Sequence, residues 1–473
     1  MPRYWTAPPL KTRPAALLTA AAFLAALGAL AALKMCRDVA PDIFWQLKDG
    51  ERIVREWRLP VREDYSFTAS GRSMVATEWL AEAAAYIVFR AAGYGGLVAL
   101  HTALFLLTFI FLLALTRRRL PPLPSLCLLS LAAFAFVNFY EVKAQNWTFL
   151  FTALFLYWAE LWENGNEGVA WAMSALLLPW ANMHGGFMVG WAILALICLR
   201  RAWETRRLAA LAPWGLGTLL CCAHPNGATA LVYPLWFMAA PPPGRAMIAE
   251  WRALNFGEAQ ALPYLMILVF LLWSGLAGVS MRFPWGAFTL VLAILALRGR
   301  KLLPEFTLAA IACLALKLRP ANSRGEERAL GAAALLALGM TGWVVLGRAG
   351  APSVLHPARD WERAYPGKAV ELIAARYPGR RIFHDYDWGG FLIYKLYPRD
   401  LVFIDGRLDP YWRLLPGDYT TLMEERPGWR ALLDDYGITL ALLKPTDRLS
   451  EGLSRDPSWK TVYGDARCVL FAR

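Results

Sequence analysis

Residues 15–33 read AALLTAAAFLAALGALAAL, and residues 36–93 read CRDVAPDIFWQLKDGERIVREWRLPVREDYSFTASGRSMVATEWLAEAAAYIVFRAAG. The first stretch carries no charge and matches the roughly 20 residues that a helix needs to cross about 30 Å of hydrocarbon. It is long for the apolar region of a signal peptide, and Lys34-Met35-Cys36-Arg37 offers no small-x-small cleavage site, so it is expected to stay as the first membrane helix. The second stretch is charged and turn-rich and has no span of its own.

Of the 473 residues, 58% are hydrophobic and 18% charged, more apolar surface than one soluble core can hide. Further spans are expected near 95–115, 123–139, 147–162, 169–182, 186–199, 208–223, 262–281, 284–298, 303–317 and 329–347, about 11 in all with the first. A net charge of +13 could suit nucleic acid, but the basic residues sit between apolar runs, where they fix topology. The chain is therefore expected to bind no nucleic acid. The seven cysteines include no CxxC pair and read as packing residues.

Arg3, Lys11 and Arg13 precede the first span, Arg117, Arg118 and Arg119 follow the second, and Arg200, Arg201, Arg206 and Arg207 join the sixth and seventh. The positive-inside rule makes all of these cytoplasmic and the loop 34–94 extracytoplasmic. Residues 229–240 (TALVYPLWFMAA) are short and proline-flanked. If they lie in the interface or re-enter, the basic loop Lys317 to Arg328 falls inside and the tail outside, which is the expected arrangement. It leaves Arg298, Arg300 and Lys301 facing out against the rule.

Within the outer loop, Ile43, Leu47, Val54 and Trp57, then Trp79, Tyr86 and Phe89, recur at spacings of two amphipathic helices lying on the membrane surface. Such a loop puts Asp38, Asp42, Asp64 and Glu78 where a lipid head group and a water-soluble molecule can meet. From about 349 the chain becomes charged throughout and alternates strand and helix signals, so residues 349–473 are expected to form a soluble extracytoplasmic α/β domain beside a membrane domain 1–348. Buried strands are expected at Arg381 to His384, Leu401 to Asp405 and Thr439 to Leu443, with helices near 388–397 and 417–435 and a closing hairpin from Trp459. Asp385 and Asp387 follow the first strand, and Asp405, Arg407 and Asp409 the second. Strand carboxyl ends are the usual ligand edge of such sheets. Capping and turn chemistry at Asp387 is the competing reading.

One membrane helix, a long outer loop with an early acid and two juxtamembrane helices, many more spans and a soluble tail resemble the GT-C superfamily of polyprenyl-phosphate-sugar-dependent glycosyltransferases. PDIFWQLKDG, EDYSFTASGR with TEWLAE, WANMHGGFMVG, HPNG with YPL, AEW, and DYDWGGFLIYKL with FIDGRLDPY look like a group of bacterial GT-C-like membrane proteins. The resemblance implies transfer of a sugar from a polyprenyl-phosphate-linked donor to an acceptor hydroxyl of a glycan, lipid or protein. It implies a carboxylate of the first outer loop as general base, a place matched by Asp42 with Asp38 as competitor; the alternative for Asp42 is to cap the helix Ile43 to Trp57. Basic groups would hold the phosphate leaving group, a role suited to the outward Arg300 and Lys301 and, beside Gln145 and Asn146, to Lys143. His184, in MHGG, is a further candidate at the rim. Asp64, Glu78, Asp385, Asp387, Asp405 and Arg407 complete the expected substrate contacts. No metal motif is present, and a divalent cation is the one cofactor left open. A flippase for lipid-linked glycans and a non-catalytic envelope assembly protein are the other functions the layout permits.

Overall fold

The computed structural model describes residues 14–240, 242–258, 261–276, 285–315, 324–347 and 361–473. Helices follow the apolar runs: α1 Pro14–Arg37, α2 Asp42–Glu56, α3 Trp79–Arg117, α4 Pro122–Phe136, α5 Gln145–Glu163, α6 Val169–Met183, α7 Phe187–Thr205, α8 Ala212–Cys221, α9 Thr229–Ala239, α10 Leu262–Leu276, α11 Trp285–Arg298, α12 Leu303–Ala315 and α13 Arg324–Gly347. Among the described residues, Leu17–Arg37, Trp79–Arg117 and Pro122–Phe139 are long and apolar enough to cross a membrane, and shorter apolar helices accompany them. α3 holds both the second amphipathic stretch and the second span, with non-helical Gly93 (φ 61°) between them. The 11-residue α9 is about 16 Å long, too short to cross by itself. Arg3, Lys11, Arg13, the start of the basic loop at Lys317 and the boundary at Ala349 lie outside the described residues; Arg324 already opens α13.

The chain divides into two compact units: Met1–Asp38, Leu97–Leu231 and Glu250–Leu355 form the first, and Val39–Gly96, Val232–Ala249 and His356–Arg473 the second. The first is a helical bundle. At its centre Phe105, Phe109, Phe136 and Phe149 are buried, with ring centroids 4.8 Å apart for Phe105–Phe109 and 5.1 Å for Phe136–Phe149. Such pairs add about 0.5–1.5 kcal/mol each beyond the area they bury. At one end of α5, Arg119 pairs with Glu160 at 2.5 Å, and Arg200 and Arg201 pair with Glu163 and Glu167. Arg119, Arg200 and Arg201, three of the basic residues expected on the cytoplasmic face, are thereby drawn to one end of α5.

The second unit departs from the expected boundary at 349, because most of the first outer loop is built into the tail. Its sheet contains β1 Ile382–His384, β2 Leu440–Leu443, β3 Lys460–Gly464 and β4 Val469–Ala472 in the order β1-β2-β4-β3, with β1 and β2 parallel and the other pairs antiparallel. Helices α14 Gly367–Arg376, α15 Gly389–Leu396, α16 Thr420–Met423, α17 Trp429–Asp435 and α18 Arg448–Arg455 surround it. The expected helix over 417–435 is broken at Pro427-Gly428, since proline cannot continue the backbone ladder.

The expected strand Leu401 to Asp405 does not join this sheet. The Val402 amide donates to the Tyr65 carbonyl (2.9 Å), the Phe67 amide to the Val402 carbonyl (3.2 Å), and the Phe403 amide to His384 Nε2 (3.2 Å). Its hydrogen bonds go to the outer loop, forming an isolated parallel bridge between Ser66 and Val402. α2 is likewise more than a surface helix. Phe44 is fully buried between Tyr365 and Phe391, with centroids at 4.5 and 5.1 Å, while Val54 and Trp57 at the other end are exposed.

Candidate functional site

In the second unit the FIDGR segment is pinned from within. Arg407 donates through Nε and a terminal nitrogen to both carboxylate oxygens of Asp405 (2.8 and 2.6 Å) and pairs with Glu63 at 2.6 Å; the Tyr411 hydroxyl donates to Asp405 at 2.7 Å. The Tyr65 hydroxyl donates to buried Asp49 at 2.6 Å, and the Arg407 guanidinium lies 4.7 Å from the Tyr65 ring centroid. Burial pushes Asp49 and Glu63 above the usual carboxylate range, although Arg407 pulls both down. For Asp405 burial also works upward, but the two-pronged Arg407 contact wins and holds it below. Asp405 and Arg407 are thus buried ties between tail and loop rather than acceptor contacts on an open edge.

Asp42 opens α2 as its first residue, with Pro41 in the cap position, so its carboxylate lies in the first turn. There its Oδ1 accepts from the Trp45 indole at 3.3 Å and faces Gly406, where a β-carbon would stand 2.5 Å from it. The helix dipole favours negative charge at this place. The neighbouring wall comes from DYDWGG. Asp385, not Asp387, is the cap: its Oδ1 accepts from the Asp387 amide at 3.0 Å, and its other oxygen pairs with Lys444 at 2.7 Å. A β-carbon on Gly389 would stand 2.1 Å from the Ile404 carbonyl, so only glycine lets this turn press against the FIDGR strand. Asp387 is raised above the usual carboxylate range by desolvation, then by the negative charge of Asp385 and, further off, Asp42, while Lys444 opposes. Lys444 joins Asp385 and Asp387, and a β-carbon on Gly390 would stand 2.8 Å from the Pro41 carbonyl, which brings this turn against the head of α2.

Three other expected residues are occupied elsewhere. Asp64 pairs with Arg52 and Arg58 at 2.7 and 2.8 Å, Glu78 accepts from Gln46 at 2.9 Å, and Asp38, in the first unit, pairs with Lys34 at 3.2 Å one turn back along α1.

The first unit gathers the cationic candidates at the Gln145 end of α5, about 22 Å by helix length from the Arg119–Glu160 pair. Gln145 donates to the Lys301 carbonyl at 2.9 Å. Glu250, in a single 3-10 turn at Ala249–Trp251, accepts from Lys301 through Oε1 at 2.9 Å and from Lys143 through Oε2 at 3.3 Å. Burial works against the Glu250 charge, but the two ammonium groups hold it well below the usual carboxylate range. Arg300 turns aside to Glu258 at 3.0 Å. His184 is buried: its Nδ1 accepts from the Gly186 amide (3.0 Å) and lies 2.9 Å from the Thr148 hydroxyl, itself the acceptor for Trp180. Burial, then the Lys301 ammonium, lower its imidazole to about 3, so it is neutral at pH 7. Glu250 escaped the sequence reading, although AEW was among the quoted motifs; its partners lie 107 and 51 positions away.

Among the described residues no group of three or more His, Cys, Asp or Glu side chains is placed to hold a metal ion. No protein-family model matches the chain, and no curated protein does. Solved structures do. The archaeal oligosaccharyltransferase AglB from Archaeoglobus fulgidus, in complex with an inhibitory peptide and a dolichol-phosphate, matches with a TM-score of 0.55 and 11% identity over 90% of this chain and 70% of that one. ArnT from Cupriavidus metallidurans in the apo state matches with a TM-score of 0.54 and 14% identity, covering 97% and 98%. The fold is GT-C-like. ArnT bound to undecaprenyl phosphate gives 0.50 at 14% identity over 96% and 97%. This GT-C-like chain is thus a polytopic α-helical membrane protein with a C-terminal α/β region, and the likeness spans nearly its whole length.

Proposed function

We propose that this protein is a membrane glycosyltransferase that moves a sugar from a polyprenyl-phosphate-linked donor to an acceptor hydroxyl at the extracytoplasmic face of the inner membrane. The observation that carries the reading is Asp42: a carboxylate in the first turn of α2, set against the Gly406 backbone, with the DYDWGG turn packed on the same helix end at Gly390. Asp42 takes the proton of the acceptor hydroxyl as its oxygen attacks the anomeric carbon. The bond from that carbon to the phosphate oxygen breaks, and the lipid phosphate leaves with the electron pair. Within the first unit, Lys143 and Lys301 are the groups suited to hold a lipid phosphate, since charge-assisted donors act most strongly where water is scarce. Asp385, Asp387 and Lys444 contact the acceptor. Support for a lipid-phosphate ligand comes from the fold, since structures of this kind include one holding a dolichol-phosphate and one holding undecaprenyl phosphate.

The test is Asp42→Asn, assayed by transfer from a radiolabelled polyprenyl-phosphate-linked sugar in membranes with protein level checked by blot. Asparagine keeps the acceptor oxygen for Trp45 but cannot take a proton, so transfer should fall roughly 100- to 10,000-fold at normal protein level. Undiminished transfer would remove Asp42 from the mechanism.

A further inference from the structure

Glu250 is an anion already seated between the two lysines assigned to the phosphate. One carboxylate oxygen meets Lys301 at 2.9 Å and the other meets Lys143 at 3.3 Å, so its two oxygens span the ammonium groups as two phosphate oxygens would. Lys301 is also held over the Trp251 ring, 5.2 Å from its centroid, and Gln145 fixes its backbone carbonyl. Lys143 in turn pairs with Glu141 at 3.2 Å, so both lysines are positioned by other contacts as well as by Glu250. The turn that carries Glu250 spans three residues and belongs to no longer helix; beyond it, backbone bonds from Leu254 to Leu297 and from Arg300 to Arg252 tie the chain to the end of α11. A carboxylate on a short turn can swing out by side-chain rotation while those ties stay in place.

We propose that Glu250 is an internal stand-in for the lipid phosphate: it occupies the anion position between Lys143 and Lys301 when no lipid is bound and is displaced when the phosphate enters. This rests on the assignment of the two lysines to the lipid phosphate. A carboxylate brings one negative charge, as does the phosphodiester of a lipid-linked sugar, whereas a phosphate monoester carries about 1.5 to 2 at pH 7. The stand-in therefore competes more evenly with the donor than with the product. Glu250 thus sets how tightly the site closes on a lipid phosphate.

The experiment titrates full-length protein in lipid nanodiscs with undecaprenyl phosphate, using undecaprenol, which lacks the phosphate, as the control. Glu250→Gln removes the competing charge and should tighten undecaprenyl phosphate binding about tenfold or more, with no change for undecaprenol. Glu250→Asp keeps the charge on a shorter arm and should fall between the two, which preserves the test should the Gln variant be unstable. In a Lys143→Ala/Lys301→Ala background, weak to begin with, Glu250→Gln should change nothing. Were Glu250 only a strut for the lysines, Glu250→Gln would weaken binding or leave it unchanged while the double lysine variant still lost it, and the stand-in would be refuted alone. Wild-type affinity in the double lysine variant would refute the lipid-phosphate site itself.

Discussion

Asp42 and Gly406 face each other so closely that a β-carbon on Gly406 would stand 2.5 Å from the Asp42 Oδ1. Gly406→Ala therefore has to turn the Asp42 carboxylate away, because the yielding atom is the end of a side chain rather than backbone. Transfer should fall on the order of 100-fold from this displacement. Thermal stability should change by only about 1 kcal/mol. Combining it with Asp42→Asn should add almost nothing, since both act on one group. Full transfer in Gly406→Ala at normal protein level would show that the placement of Asp42 does not matter.

The buried cluster around Arg407 predicts an unusual pH dependence. Asp49 and Glu63 bind protons more tightly in the folded state, so what they contribute is fully present below their ordinary values of 3.8 and 4.5 and is lost as pH rises through their raised folded values. Asp405, held low by Arg407, works in the opposite sense and loses its contribution as pH falls below 3.8. Thermal unfolding followed from pH 3 upward, on the ordinary carboxylate scale, should show the second unit most stable near pH 4 and weakening above it. Glu63→Gln should lower the melting temperature throughout but flatten the decline above 4.5; an unchanged slope would contradict this account.

Lys301 and Arg300 are adjacent in sequence but differ in partner, Glu250 for one and Glu258 for the other. Lys301→Ala should weaken undecaprenyl phosphate binding about tenfold or more, given about 1.5–3 kcal/mol for a charge-assisted hydrogen bond. Arg300→Ala should weaken it far less. Equal losses in a binding titration would mean that the phosphate reaches both.

Much of the bundle was legible because each span is a local event: an apolar run closes its own hydrogen bonds, and Pro122 or Arg117 marks its end wherever the rest of the chain lies. The expected 284–298 and 303–317 became Trp285–Arg298 and Leu303–Ala315 for that reason. Leu401 to Asp405 failed for the opposite reason. Its alternation was read correctly as extended, but what an extended segment pairs with is not local, and the partner proved to be Tyr65 to Phe67. The site divided in the same way. Counting spans put Lys143 and Lys301 on one face, whereas Glu250 between them and Glu63 against Arg407 could be known only from contacts across 51 to 344 positions.

The domain expected over 349–473 meets the same contacts. A fragment covering 356–473 loses the backbone partners of Val402 and the Glu63 partner of Arg407. By circular dichroism it should melt broadly and early, and joining residues 39–78 to it should restore a sharp transition. A fragment that melts as sharply alone would show that the tail needs no loop.

The bond from the Tyr411 hydroxyl to Glu63 spans 348 residues, and that from Thr68 to the Phe403 carbonyl spans 335. These contacts set an order of birth. The loop is synthesised well before the FIDGR segment, so Glu63 and the Tyr65 carbonyl meet their partners there only about 20 seconds or more later at 5–20 residues per second. Until then the loop carries buried-type carboxylates in water, where they are well solvated, and an unpaired strand edge, which is not safe to leave exposed. Its flanking charges, Arg52, Arg55, Arg58 and Arg62 among Glu51, Glu56 and Asp64, keep that waiting edge soluble. Maturation of the second unit is therefore a late, chain-closing event rather than one that keeps pace with membrane insertion.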